Sequence, residues 1–366
     1  MKIGIYARGL TEKSGGVKVY ITELSKSIIK NASPKDELFI MHSSKNNIFD
    51  KKTNLKEILF KTKSKILADF ITGPKLINKY GLDVVLFPKD VIPYFIKAKK
   101  VVTIHDLAYY MPQFDAYKLF DTIYMKFMIK SSCKRADAII SVSENTKKDI
   151  IEILKIDKNK ITPVHEGVDS KFKIIKDKNK LNSIKNKYNL DKEFIFYAGS
   201  ISPRKNIKRL IKAFESIQKK TDLDLVITGN KLWNNVEEME LIKKNPRIKL
   251  LGFIPEEDLP TIYNLASIYV YPSLYEGFGL PILEAQASGC PIIASSASSL
   301  PEVAGKGGAL FIDPYKEKEI AKAILKLDRD KSLRTKLTKY GLENVKNFSW
   351  EKAALETLQL LKTKNK

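Results

Sequence analysis

The chain of 366 residues is too long for one ordinary domain and suits two of about 150 to 200 residues, with 43% hydrophobic residues to fill two cores. No apolar run approaches the roughly 18 residues of a membrane span, while two cysteines without metal-ligand spacing and three scattered histidines argue for a reducing interior and against a zinc centre. The formal charge of +23 leans toward the first half, where residues 1–180 hold 35 Lys and Arg against 20 Asp and Glu; most of it reads as lysine-rich composition, with an anionic surface as the alternative and no aromatic-interleaved basic run to suggest nucleic acid.

The chain begins with a charged residue and a strand, so no signal peptide and a cytoplasmic location are expected. Lys2–Tyr6, Leu38–His42, Val84–Phe87, Val101–Ile104, Ala138–Val142 and Ile161–Val164 read as strands of a first sheet. Phe194–Ala198, Leu225–Thr228, Ile248–Leu251, Ile268–Tyr271 and Pro291–Ala294 read as strands of a second. They are apolar runs without strict alternation, separated by helical stretches, as parallel strands covered on both faces require. The fold class is therefore α/β, with two doubly wound, Rossmann-like parallel sheets. A charge-rich, weakly patterned stretch from Lys171 to Lys185 marks the join. The expected division is 1–170, 171–346 and a last helical segment, 347–366, with Ser349 as its N-cap.

Ligands of such sheets bind beyond the C-terminal ends of the strands. Five loops with chemical content follow strands: Gly15-Gly16, His105-Asp106, Gly199 to Lys205, Gly229-Asn230 and the loop of Glu276. The last of these, Tyr275-Glu276-Gly277-Phe278-Gly279-Leu280-Pro281, runs from a strand into a helix with Pro in its first turn. Unpaired N–H groups and the positive end of a helix dipole make such a place an anion site. Glu276 and Glu284 bracket it, and carboxylates accept from sugar hydroxyls rather than binding phosphate. The loop thus suits a phosphorylated sugar; a capped turn is the plain alternative.

With Pro203-Arg204-Lys205-Asn206, Thr103-Ile104-His105-Asp106, Glu166-Gly167-Val168-Asp169 and Ser299-Leu300-Pro301-Glu302, nearly the whole chain resembles the family 4 retaining glycosyltransferases of GT-B fold. The similarity is to their mannosyltransferase branch, which serves surface polysaccharide and glycolipid synthesis. The resemblance implies two domains facing across a cleft, with the last helix crossing back onto the N-terminal, acceptor-binding domain. It implies a sugar nucleotide as donor, GDP-mannose ahead of a UDP-sugar, and a hydroxyl of a glycan or lipid-linked acceptor. Arg204 and Lys205 would bear on the diphosphate, whose leaving charge needs fixed positive potential, with Ser200 where some members carry an extra Arg and Gly16 approaching from the other domain. Glu276 would hold the donor sugar and Glu284 the ribose; Gly277, Phe278, Gly279 and Leu280 would line sugar and phosphate, Phe278 as a wall. Phe253 and Ile254 would lie by the base. His105 would contact the sugar near the reacting centre while Asp106 orients its loop. His165-Glu166-Gly167, where many relatives have Asn-Gly, would bear on the hinge.

No cofactor and no metal are expected, since no DxD-like cluster follows a strand. A nucleotide-sugar epimerase of the same fold is the alternative function. A dinucleotide oxidoreductase is disfavoured by the lack of G-x-G-x-x-G in the first βα turn, and a basic non-catalytic binder by the intact site residues. The N-terminal domain is expected to touch an anionic membrane surface, leaving the protein peripheral on the inner face of the membrane. In Tyr117–Lys130, Leu119, Phe120, Ile123, Tyr124, Phe127 and Met128 share a helical face, which is expected to pack on the first sheet.

Overall fold

A computed structural model of the chain describes residues 1–11, 15–42, 48–49, 54–59, 64–114, 119–229 and 236–363. Tyr117, Lys118, Asn230 and the final residues 364–366, all named above, lie outside the described residues. The chain forms two compact units. One comprises Met1–Tyr110, Tyr117–Gly167 and Phe348–Lys366, the other Met111–Ala116 and Val168–Asn347. The limits fall at 167/168 and 347/348, within a few residues of those expected, and the short Met111–Ala116 segment was not foreseen.

In the first unit the elements run β1 (Lys2–Tyr6), α1 (Gly16–Asn31), β2 (Glu37–His42) and β3 (Leu55–Leu59). A continuous helical stretch follows, α2 (Lys65–Leu67), a π-type turn at Ala68–Thr72, and α3 (Gly73–Lys79). Then come β4 (Val84–Phe87), β5 (Lys99–Ile104), α4 (Leu119–Arg135), β6 (Ala138–Ser141), α5 (Glu144–Leu154) and β7 (Ile161–Pro163). All pairings are parallel, in the order β3-β2-β1-β4-β5-β6-β7. The sheet is buried along its centre, every residue of β4 included, as a parallel sheet covered on both faces must be. Its edge strand β3 was not anticipated: Leu-Lys-Glu-Ile-Leu buries only Ile58, so it carries no apolar run to read.

The second unit contains α6 (Lys178–Lys187), β8 (Phe194–Ala198), α7 (Ile207–Ile217), β9 (Asp224–Thr228), α8 (Val236–Lys244) and β10 (Ile248–Gly252). After these come α9 (Leu259–Leu265), β11 (Ile268–Tyr271), α10 (Leu280–Ala287), β12 (Ile292–Ser295), α11 (Leu300–Ala304), β13 (Leu310–Ile312), α12 (Glu317–Arg329) and α13 (Lys331–Asn344). Its parallel order is β10-β9-β8-β11-β12-β13. The three-residue β13 went unread for its brevity. Half of the supposed linker is helical: Asp177 caps α6 by accepting from the backbone N–H groups of Asn179 and Lys180, which holds a helix its weak apolar pattern does not announce.

The last helix, α14 (Trp350–Lys362), belongs to the first unit and packs along α1. Ser349 caps it as expected, its Oγ accepting from the Lys352 N–H at 3.1 Å. At the other end Lys99 Nζ donates to the Leu360 carbonyl at 2.9 Å, and Lys362 pairs with Asp36 at 2.6 Å.

The expected packing of α4 is corrected. Its buried residues are Met128, Ile129, Ser132 and Cys133, so the helix is anchored by its C-terminal half. Phe120 (87% exposed) and Phe127 (61% exposed) project from the molecule.

Candidate active site

Each sheet has a switch point, between β1 and β4 in the first unit and between β8 and β11 in the second, where successive connections leave in opposite directions. Ligands of open α/β sheets bind beyond the strand ends at such points. Of the predicted site residues of the second unit, Ser200, Arg204, Lys205, Glu276 to Leu280 and Glu284 follow the strands at its switch, whereas Phe253 and Ile254 follow the edge strand β10.

Beyond β8, Pro203–Lys205 forms a single 3-10 turn, and Asn206 takes a left-handed conformation (φ 62°) before α7. Asn206 is buried, and its amide donates to the Pro272 carbonyl at 3.0 Å and the Pro314 carbonyl at 2.7 Å. It thus locks the loop after β8 to the one after β11. The Leu274 N–H, donating to the Arg204 carbonyl at 2.8 Å, adds a backbone tie. The turn puts two cations on one carboxylate. Arg204 Nη1 donates to Glu276 Oε2 at 2.8 Å and to the Tyr275 carbonyl at 2.7 Å. Lys205 Nζ donates to Glu276 Oε1 at 2.6 Å and to the Tyr271 hydroxyl at 2.9 Å, and that hydroxyl donates to the same carboxylate oxygen at 3.0 Å. Burial would raise the Glu276 carboxyl, but the charges of Arg204 and Lys205 overcome it and hold its pKa at about 2. With two cations against one anion, the cluster keeps net positive potential.

Two residues not foreseen shape the Gly-Phe-Gly loop. Ser298 Oγ donates to the Glu276 carbonyl at 2.6 Å and accepts from the Glu276 N–H at 2.9 Å. Ser299 Oγ donates to the carbonyls of Glu276 and Phe278 at 3.0 and 2.6 Å. Ser299 stood in a motif already noted, but neither serine had been given a role. Phe278 is buried, as a wall residue should be, and Leu280 opens α10 with Pro281 behind it.

Glu284 lies one turn into α10 and accepts from the Tyr263 hydroxyl at 3.1 Å. Burial drives its pKa up to about 7; the Tyr263 bond and the Lys171 charge oppose the rise, and Asp169 and Glu256 add to it. Lys171 itself pairs with Asp169 at 3.3 Å and Glu256 at 3.6 Å. Elsewhere in this unit, Ser200 sits after β8 with its carbonyl accepting from the Tyr197 hydroxyl at 3.2 Å. Phe253, just beyond β10, is 59% exposed whereas Ile254 is buried.

In the first unit the segments after β1 and β5 carry the expected Gly16 and His105. Gly16 is the first residue of α1; the backbone requirement falls on Gly15, whose φ of 122° is open to glycine and strained for other residues. His105 is buried, and its backbone N–H donates to Asp90 at 2.9 Å. Nε2 lies 2.9 Å from the Pro88 carbonyl and Nδ1 lies 3.6 Å from Glu166 Oε1. Tyr20 meets the ring edge-on with centroids 4.6 Å apart. A carbonyl can only accept, so Nε2 carries a proton. Burial lowers the His105 pKa, but the Glu166 contact and the Asp90 charge outweigh it and raise the pKa. Asp106 orients the loop as expected, accepting from the Ala108 N–H at 2.9 Å. Glu166, expected at the hinge, stands beside the limit between the units at Gly167/Val168 and is also a buried partner of His105.

Among the described residues no group of three or more His, Cys, Asp or Glu side chains is arranged to hold a metal ion, and no helix is long and apolar enough to cross a membrane.

Residues 14–172 match the model of Glycosyltransferase Family 4 and residues 178–344 that of Glycosyl transferases group 1. O-antigen chain mannosyltransferase B of Escherichia coli is 33% identical over 283 residues, covering 75% of this chain and 73% of that protein. The serotype-specific mannosyltransferase WbdA of Escherichia coli is 30% identical over 286 residues; the match covers 74% of this chain but only 34% of that longer protein. Sucrose-phosphate synthase of Thermosynechococcus elongatus superposes with a TM-score of 0.77 at 21% identity, covering 98% of both chains. The chain is thus a glycosyltransferase of GT-B fold, belonging to family 4 and similar to the O-antigen mannosyltransferases.

Proposed function

We propose that the enzyme moves a mannosyl group from GDP-mannose to a hydroxyl of a glycan or lipid-linked acceptor, with retention of anomeric configuration and without a metal ion, at an anionic membrane surface. The observation that carries the transfer is the Arg204–Lys205–Glu276 cluster at the switch point of the second sheet. It keeps net positive potential where a departing diphosphate needs it. The choice of mannose rests on the similarity to mannosyltransferases. Nothing in the comparisons supports the epimerase reading.

In this reaction the bond between the anomeric carbon and the phosphate oxygen breaks, and the acceptor oxygen bonds to the same face of that carbon. The acceptor proton passes to the departing phosphate oxygen, which leaves as GDP. Arg204 and Lys205 stabilise the charge gathering on the diphosphate. Glu276, fully ionised and already holding both cations, keeps them in place and accepts from a hydroxyl of the donor sugar. Glu284 accepts from the ribose, with Gly277, Phe278, Gly279 and Leu280 along sugar and phosphate, Gly16 and Ser200 by the phosphates, and Phe253 and Ile254 beside the base. His105 serves as a fixed group near the sugar. A cationic imidazole would oppose positive charge on the sugar, and the Glu166 carboxylate offsets it.

Calorimetric titration with GDP and UDP, followed by transfer assays from a panel of sugar nucleotides with and without a chelator, tests this reading. Tighter GDP binding and chelator-resistant mannosyl transfer are expected. Clearly tighter UDP binding sinks the GDP-mannose assignment, and loss of activity with the chelator sinks metal independence.

A further inference from the structure

Three stretches of the first unit leave large apolar side chains in solvent, and one polar network holds them together. On α2 and the π-type turn, Ile66 (61% exposed) and Leu67 are exposed, as are Phe70 and Ile71 four residues on. That spacing is one helical face. On α4, Phe120, Ile123 and Phe127 are exposed at the same kind of spacing. Phe95, on the loop before β5, is 77% exposed. Asp69, fully buried in the π-type turn, accepts from the hydroxyl of Tyr124 on α4 at 2.8 Å and from Arg8. Its carbonyl accepts from the Tyr94 N–H at 3.1 Å, and the Tyr94 ring stacks on Phe70 at 5.2 Å between centroids. The carboxylate of Asp69 thus ties its turn to α4, and its carbonyl with the Phe70 ring ties the same turn to the loop of Phe95. Tied in this way, the three stretches hold their exposed apolar side chains in one region of the unit, unlike the scattered exposed hydrophobics of an ordinary surface.

The charge of the same stretches identifies the occupant. Lys97 is exposed on the loop, Lys130 and Lys134 on α4, and Lys75 and Lys79 on α3, which continues the π-type turn; among the described residues of these elements Asp121 is the exposed acid. Resting on the membrane reading given above and adding its surface, we propose that this patch docks the enzyme on an anionic lipid bilayer. Phe70, Phe95, Phe120 and Phe127 enter the interfacial region, and the lysines lie against the headgroups. Aromatic and aliphatic side chains on one helical face with lysines beside them are the pattern of helices lying in a membrane interface. A second copy would set these lysines against their own kind, which disfavours self-association through the patch.

Flotation with vesicles of phosphatidylcholine, alone or mixed with phosphatidylglycerol, tests the proposal on the full chain. Binding should need phosphatidylglycerol and weaken as salt rises, because exposed charges are screened. The double variants Phe120→Ser/Phe127→Ser and Phe70→Ser/Ile71→Ser should each bind at least ~10-fold less, and Lys130→Gln/Lys134→Gln should weaken binding to mixed vesicles. Phe120, Phe127, Lys130 and Lys134 are exposed, so melting temperature and GDP binding should stay at wild-type values in their variants, whereas Phe70→Ser/Ile71→Ser also loses the stack on Tyr94 and should melt lower while still binding GDP. Unaltered vesicle binding by both Phe variants overturns the proposal, as does equal binding to neutral and anionic vesicles. Sedimentation showing self-association that the same substitutions abolish also overturns it, assigning the patch to a second copy. Failure of GDP binding would sink the donor reading and leave the flotation result standing.

Discussion

Nδ1 of His105 faces Glu166 at 3.6 Å while Nε2 faces the Pro88 carbonyl at 2.9 Å, so both ring nitrogens of this buried histidine look onto oxygen. Glu166 raises the His105 pKa against the opposing effect of burial. Glu166→Gln should therefore lower the His105 pKa and cut turnover, with a smaller change in donor KM. Titration of the imidazole by NMR beside a pH–rate profile checks it. An unmoved His105 pKa would mean that the pair is not electrostatically coupled.

Arg204 and Lys205 hold Glu276 in the resting enzyme, and under the proposed reaction they hold a diphosphate whose charge grows toward the transition state. Arg204→Ala and Lys205→Ala should each cost about 3 kcal/mol of activation energy, a loss of roughly 100-fold in kcat. Glu284→Ala should chiefly raise donor KM, because a ribose contact is made equally in ground and transition states. Steady-state kinetics of the three variants with a saturating acceptor separate these outcomes.

Burial leaves Glu284 with a pKa of about 7. Ionised, it accepts on both oxygens and with a full charge, whereas the protonated form turns one oxygen into a donor, so donor KM should fall as pH rises through about 7. In Glu284→Gln that step should vanish. The same raised pKa makes folding less favourable as pH rises from the ordinary carboxyl value of 4.5 to about 7, since the unfolded chain ionises there while the folded one keeps its proton.

Glu276 behaves in the opposite sense. Its pKa falls from 4.5 to about 2 on folding, so the folded chain releases the proton first. The stability it confers, about 3 kcal/mol, is present above about 4.5 and lost as pH falls toward about 2. Denaturant melts of wild type and Glu276→Gln should show the wild type losing its advantage across that window. At neutral pH the variant should be less stable, because Arg204 and Lys205 are left without their anion.

The central strands were legible because burial on both faces forces continuous apolar runs such as Val84–Phe87 and Phe194–Ala198. β3 was not, since an edge strand with Lys56 and Glu57 in solvent carries no such run. Arg204, Lys205 and Glu276 could be named from their loops, but their mutual pairing could not, because it depends on β8 and β11 being sheet neighbours. The pairing of Glu166 with His105 escaped for the same reason: the two lie 61 residues apart along the sequence and meet only through the order β5-β6-β7. Helical periodicity placed Phe120 and Phe127 on one face of α4 but could not say whether that face is covered.

Gly167 ties these features to the return of the C-terminal helix. A Cβ added there would lie 2.2 Å from the Trp350 backbone nitrogen and 2.6 Å from the Ser349 carbonyl carbon, and backbone at that distance cannot rotate away. Trp350 begins α14 and meets the Tyr20 ring, whose edge in turn packs against His105. Gly167→Ala should therefore push α14 off its seat on α1 and cost about 3 kcal/mol, as overpacking against a rigid neighbour does. Because Glu166 is the preceding residue, the same shift should disturb its approach to His105 and lower kcat in the fraction that remains folded. Trp350→Ala in the Gly167→Ala background cannot relieve a clash with main chain, so it should restore neither stability nor turnover. Thermal melts and kinetics of the single and double variants check both expectations, and a Gly167→Ala protein of wild-type stability would show that the helix has room to move.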